Sequence, residues 1–225
     1  VFPLNVLRVG DKIYGYSNGW TRRVSVSVDT GIGFAISHDN GETFQRIGDG
    51  PIMGATTYEP VLVGDPFVQL FGGVFHMWYL FGLGWKKYSD APPDRIYKIA
   101  HATSLNGIDW VKEEGIQIIS DKLNDDECQA LPTVLFHKNR YHMYFCYRSS
   151  VDFRKNKENG YRIGYAYSDN LKDWTRADEK SGIDISKNEW DSDMQCYPHI
   201  FRVNEKIYLL YNGNEFGKYG FGIAE

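Results

Sequence analysis

Prolines at positions 66, 132 and 198 stand 66 residues apart, and each opens the same kind of segment. Pro66 begins "PFVQLFGGVFHMWYLFG", Pro132 begins "PTVLFHKNRYHMYFCYR" and Pro198 begins "PHIFRVNEKIYLLYNG". Pro3 begins "PLNVLRVGDKIYGYSNG", 63 residues before Pro66. Each unit reads as a short apolar strand, a polar turn and an aromatic strand. A third strand follows in each: "GIGFAIS", "YKIAHATS", "RIGYAYS" and, last, "GFGIAE". Then comes a recurring turn, "SHDNGETF", "SLNGIDW" or "SDNLKDW", in which Asx side chains bond local backbone and Gly accepts a positive φ. The closing Phe or Trp is expected to pack between neighbouring units, and a short fourth strand such as "FQRIG" or "WVKEE" ends the repeat. Aromatics at 16% and 23 glycines suit short strands joined by tight turns.

A recurring unit of four antiparallel strands is the signature of a β-propeller, whereas a β-sandwich gives no such regular spacing. The chain is read as one all-β propeller domain over residues 1–225, with units near 1–57, 58–123, 124–189 and 190–225. The last unit carries no fourth strand, and a propeller protects its strand edges by closing into a ring. The expectation is therefore five four-stranded blades, the N-terminal blade being missing or incomplete here. The chain opens without Met or a signal-peptide pattern, so residues are expected before Val1. A net charge of −4 with no basic stripe argues against nucleic acid. No apolar run approaches the roughly 20 residues that span a bilayer, so no membrane partner is read. Cys128, Cys146 and Cys196 are odd in number and lack C-x-x-C spacing, which argues against a disulfide framework or a zinc site. No metal or cofactor is assigned. The unpaired cysteines favour a reducing, cytoplasmic compartment; localisation and oligomeric state are otherwise open.

"DDECQALPTV" runs three carboxylates into an apolar strand. Counting back from the prolines, Glu127 lies five residues before Pro132 and Asp193 five before Pro198. "ECQALP" and "DMQCYP" then share an acid, a glutamine (Gln129, Gln195) and the proline. In the second unit that position is Val61, flanked by Glu59 and Asp65.

The strand pattern "GDPFVQLFGGVFHMWYLFG", the turns ending in Asp-Trp, and "ECQALP" resemble the five-bladed furanosidase-like propellers. These include the arabinanase, xylosidase, invertase and levansucrase families of glycoside hydrolases, with related mannoside phosphorylases. The tail "LLYNGNEFGKYGFGIAE" resembles a bacterial subgroup associated with surface-polysaccharide gene sets. The resemblance implies a carbohydrate-active protein, hydrolysing a glycosidic bond of an oligosaccharide or polysaccharide with carboxylates set ahead of the innermost strands, over the propeller axis. Glycoside phosphorolysis, a transferase role in polysaccharide assembly and non-catalytic glycan binding are the alternatives.

Glu127-Cys128 is similar to the "EC" pair that holds the acid/base in invertase-like families, and Asp65-Pro66 to their "DP" pair with its transition-state-stabilising Asp. Asp193 is the supporting carboxylate by alignment. The plain alternatives are a solvated loop for Glu127, a turn carboxylate for Asp65 and a backbone cap for Asp193. Further candidates for substrate contact are Glu59, Gln129, His199, Asn212 and Arg148, the last as an anion clamp or a partner of Glu127, against a structural ion pair. Trp20 and Trp85 are candidates to stack on sugar rings, against ordinary inter-blade packing. In such families one essential carboxylate comes from the first blade, so the catalytic set visible here is expected to be partial.

Overall fold

The computed structural model describes residues 2–88 and 93–225. Four antiparallel meanders follow the repeat. The first sheet is β1 (Phe2–Val9), β2 (Lys12–Thr21), β3 (Asp29–Ser37) and β4 (Gln45–Arg46). The second is β5 (Val63–Phe71), β6 (Val74–Lys86), β7 (Asp94–Ser104) and β8 (Val111–Lys112). The third is β9 (Cys128–His137), β10 (Arg140–Arg148), β11 (Arg162–Ser168) and β12 (Thr175–Arg176). The last is β13 (Cys196–Val203), β14 (Lys206–Asn212) and β15 (Phe221–Ala224). These are the blades of an all-β propeller. Among the described residues they number four rather than five, because the proline-led repeat occurs four times and supplies four leading strands.

Two compact units divide the chain: residues 1–95 with 99–116, and residues 96–98 with 117–225. In the first, the core gathers Tyr16, Ile32, Phe34, Met77, Tyr79 and Phe81. Trp110, which closes the second repeat's turn, meets Tyr16 of the neighbouring blade edge-on at 6.1 Å, as the closing aromatic should. Phe44, its counterpart in the first repeat, stays 43% exposed.

All four prolines sit in the first strand of their sheets. Polar side chains there hold the leading strand of the next blade. Asn5 Oδ1 accepts the N–H of Val68 at 2.9 Å in the first unit, and Thr133 Oγ accepts that of Ile200 at 3.2 Å in the second. The residue before each of three prolines adopts a left-handed conformation: Asp65 (φ 50°), Leu131 (φ 50°) and Tyr197 (φ 59°). Strand pairing slips at each of these points. Proline has no N–H to give a ladder, so a bulge is where it does least harm, and the bulge re-aims the side chain beside it.

Local chemistry shapes the turns. Ser37, Ser104 and Ser168 each accept a backbone N–H from the turn that follows, from Gly41, Gly107 and Leu171 at 2.8–2.9 Å. Gly72 and Gly73 join β5 to β6 with positive φ at both positions, the geometry that matches a hairpin's twist. Cys128, Cys146 and Cys196 are buried and unbridged, and burial pushes the Cys196 thiol up to about 12.

Candidate functional site

Glu127 ends the long connection from β8 and has no exposed surface. Its own N–H donates to the Asn124 carbonyl at 2.9 Å, closing a turn that sends the side chain inward. Its Oε2 accepts the backbone N–H groups of Lys122 (2.9 Å) and Leu123 (3.0 Å). Its Oε1 accepts Gln129 Nε2 (3.0 Å) and Arg176 Nη1 (2.6 Å). Glu127 is thus no solvated loop residue, and the charged side chain that meets it is a guanidinium on the blade's outermost strand.

From Arg176 the network continues outward. Its Nε donates to both oxygens of Asp178, at 3.2 and 3.1 Å. Asp178 in turn pairs with Lys122 Nζ at 3.2 Å, and Lys122 donates to the Tyr147 hydroxyl at 3.1 Å. Burial alone would lower the Arg176 pKa, but Asp178 and Glu127 outweigh it and hold the guanidinium above its ordinary value. The same balance, struck by Tyr147 and Asp178, raises Lys122.

The arrangement recurs. Glu59, also without exposed surface, accepts the Tyr79 hydroxyl (2.8 Å) and the Gly115 N–H (3.2 Å) and pairs with Lys112. Burial, reinforced by Glu59, pushes the Tyr79 phenol far upward. In the last blade Asp191 accepts Gln195 Nε2 at 2.8 Å and the Tyr211 hydroxyl at 3.2 Å. Burial first and Asp191 second push Tyr211 up to about 12.

These contacts correct the register drawn from the prolines. Glu127 matches Glu59 and Asp191, which both stand seven residues before their prolines, and not Asp193. The approach to β9 is two residues shorter, so counting back from the proline crosses a turn of unequal length. Gln129 and Gln195 do correspond. Each ties its carboxylate to the incoming loop, Gln129 through the carbonyl of Ile119 (3.1 Å) and Gln195 through that of Asp184 (2.9 Å). The sequence reading missed Arg176 and Lys112. Their signal is a basic residue two positions after each closing Trp, in "WTR" and "WVK".

The other candidates are dispersed. In the first unit Asp65 is half-buried at its bulge and accepts Asn18 Nδ2 at 3.0 Å. Trp20 is 46% exposed with the Arg95 guanidinium 5.6 Å over its ring, and Trp85 is half-buried on β6. In the second unit Asp193 is exposed, and its N–H and that of Met194 donate to Asn214 Oδ1 at 2.7 and 3.1 Å. Asn212 donates to the Phe216 carbonyl at 3.3 Å, and His199 stacks on Phe201 at 5.9 Å. Arg148 is buried in an aromatic cage, 3.6 Å over Phe153, 5.3 Å over Tyr97 and 5.5 Å over Tyr161.

A cavity of about 540 Å³ opens in the second unit, lined by Lys122, Tyr147, Arg162, Asp178, Asp184 and Gln195 among others. Three of these belong to the Glu127 network or touch it directly: Lys122, Tyr147 and Asp178. Glu127 itself lies behind the wall, joined to it through Arg176.

No family model matches the chain. It is 32% identical over 220 residues to the uncharacterized protein MT1551 of Mycobacterium tuberculosis (strain CDC 1551 / Oshkosh), a match covering 98% of this chain and 69% of that protein. The uncharacterized protein Rv1502 of strain ATCC 25618 / H37Rv gives the same figures. The chain belongs to the family of these mycobacterial proteins. Its fold is shared with a solved structure described as a glycoside hydrolase, at a TM-score of 0.72 and 16% identity, over 97% of this chain and 63% of that one. A thermostable family-43 glycoside hydrolase follows at 0.69 and 14% identity, covering 97% and 69%. The Bombyx mori GH32 β-fructofuranosidase BmSUC1 gives 0.64 and 13%, covering 93% and 42%, and a mutant of it is also solved in complex with sucrose. The chain thus spans less than two thirds of the length of the first and last of these structures.

Proposed function

We propose that this chain is part of a carbohydrate-active enzyme that hydrolyses a glycosidic bond in an oligosaccharide or polysaccharide. The observation that carries this is the cavity of the second unit, whose wall offers three carboxylates, Asp178, Glu179 and Asp184, beside the Lys122 ammonium and the Tyr147 hydroxyl. A glycosidase needs a pair of carboxyl groups flanking the scissile bond, and a hydroxyl-rich ligand needs donors and acceptors in alternation. The fold shared with glycoside hydrolases, one of them solved with sucrose, supports the same reading.

In this reading Glu127 is a positioning residue: it fixes Arg176, which fixes Asp178 at the cavity wall. Asp65, re-aimed by its bulge and half-buried, is the candidate carboxylate of the first unit, and the exposed Asp193 is a further candidate. We extend the proposal to a five-bladed propeller. The last sheet has three strands where its three siblings have four, and further chain is expected to complete its edge.

The test is release of reducing ends from bacterial polysaccharides and aryl glycosides by the full-length protein. Asp178→Asn is expected to lower turnover about 100-fold or more if Asp178 takes part in proton transfer. Glu127→Gln should lower it through a misplaced Asp178 and should shift the pH optimum. Binding of a glycan with no turnover by wild-type protein would replace hydrolysis with the glycan-binding alternative. Acceleration by added phosphate would replace it with phosphorolysis.

A further inference from the structure

The segment Asn214–Gly217 holds two consecutive side-chain-bearing residues in the left-handed region, Glu215 (φ 51°, ψ 41°) and Phe216 (φ 61°, ψ 32°). Each is sterically costly for an L-residue, and such conformations persist only where surrounding contacts over-determine them. Those contacts are present. Gly217 N–H donates to the Gly213 carbonyl at 3.1 Å, Asn214 N–H to that of Trp190 at 2.8 Å, and Asn212 Nδ2 to that of Phe216 at 3.3 Å. The outcome is a phenyl ring held in one place. Phe216 stacks on Tyr197 with centroids 6.1 Å apart and planes 28° apart, and meets Phe153 and Tyr161 edge-on. Tyr197 is itself left-handed at its bulge and 38% exposed.

Arg154 lies over the same cluster, 4.3 Å from the Phe153 centroid and 5.6 Å from that of Phe216. It is exposed, and it makes no hydrogen bond or ion pair with any described residue. Its guanidinium fork is oriented by aromatic faces, with its donors left for something else. A planar fork fits carboxylate and phosphate bidentately, and stacked aromatic faces suit the apolar C–H face of a sugar ring.

We propose that Tyr197, Phe216 and Arg154 form a binding platform for a sugar unit that carries an anionic group, the rings taking the sugar face and Arg154 taking the carboxylate or phosphate. That the ligand is a glycan rests on the carbohydrate-active reading above; that it is anionic rests on Arg154 alone. Phe153 and Tyr161 are buried in this cluster, whereas Phe216 is half-buried and Tyr197 partly exposed, so the loop leaves ring surface on the outside beside the Arg154 guanidinium.

The experiment is calorimetric titration of the full-length protein with a short oligogalacturonate, its neutral methyl-esterified form, a phosphorylated oligomannoside and a tetra-aspartate peptide. Wild type should bind the oligogalacturonate or the phosphorylated glycan, and which of the two binds identifies the anion. Arg154→Gln should weaken that binding about tenfold or more and leave the neutral form unchanged. Arg154→Lys, which keeps the charge and loses the fork, should fall between. Phe216→Gly keeps the left-handed backbone, removes the ring and should weaken charged and neutral glycans alike. Unchanged binding of both anionic glycans by Arg154→Gln would overturn the proposal. So would tetra-aspartate binding as tightly as the glycans, which would point to an acidic peptide. Turnover absent while Arg154-dependent binding persists would sink only the hydrolase reading; turnover intact with no effect of Arg154 would sink only the platform.

Discussion

Blades two and three carry the same device with different reach. In each, a fully buried glutamate ahead of the first strand pairs with a cation on the last strand, two positions after the closing tryptophan. In blade two the pair is Glu59 with Lys112, backed by Tyr79, and it stops there. Glu114, two residues beyond Lys112, is taken up by the Thr56 hydroxyl at 2.8 Å. In blade three the residue two beyond Arg176 is Asp178, which Arg176 grips with Nε while Nη1 holds Glu127. A lysine is a single point charge, whereas a guanidinium offers donors on two edges. That difference turns a structural plug into a link between the buried glutamate and a cavity wall. One repeat position thus serves packing in one blade and a candidate site in the next.

The largest expected effect comes from removing the cation. Arg176→Met leaves Glu127 buried and uncompensated, at a cost of about 3–5 kcal/mol. Lys112→Met should fall at or below about 3 kcal/mol, because Lys112 serves one carboxylate and not two. Urea unfolding of both variants checks the order, and a larger loss for Lys112→Met would break the comparison. The conservative swap sharpens it. Arg176→Lys keeps a charge beside Glu127 but gives up the second grip on Asp178, for a loss of about 1.5–3 kcal/mol, with glycan turnover falling alongside. The reverse swap, Lys112→Arg, should leave turnover as it is.

The tyrosines give a smaller test. Tyr79→Phe removes the hydroxyl donor of a carboxylate that has no exposed surface, and about 1–3 kcal/mol should be lost. Tyr211→Phe, at the matching place in the last blade, should cost only about 0.5–1.5 kcal/mol, since its ring is half-buried and Gln195 still serves Asp191. Thermal unfolding of the two variants side by side decides it; equal shifts would mean that burial of the carboxylate is not what sets the scale.

The smallest effect is one of pH. Burial pulls the Asp191 pKa upward, but the hydrogen bonds it accepts, Gln195 and Tyr211 among them, win and hold it below its ordinary value of 3.8. A depressed carboxyl contributes stability that is complete above the unfolded value and lost as pH falls through the folded one. Wild type should therefore lose stability below about pH 4 more steeply than Asp191→Asn does. Parallel acid limbs in the two unfolding curves would contradict this.

Sequence alone determined what is periodic and local. Four prolines 63 and 66 residues apart set the leading strands, Asx-bearing turns set the hairpins, and a recurring meander of four antiparallel strands, three in the last period, left the propeller as the fold that buries them. Each of these signals acts within a few residues, where spacing on the chain is spacing in the fold. Tertiary structure alone decided which acids are equivalent and what they meet. The Glu59–Lys112 and Glu127–Arg176 pairs join residues 53 and 49 positions apart, and the approach to β9 is two residues shorter than to β5 or β13, so no count from the prolines could align Glu127 with Asp191. The same holds for Arg154 and Phe216, which lie on different blades' connections and meet only because an over-determined loop holds Phe216 in a conformation its own side chain disfavours.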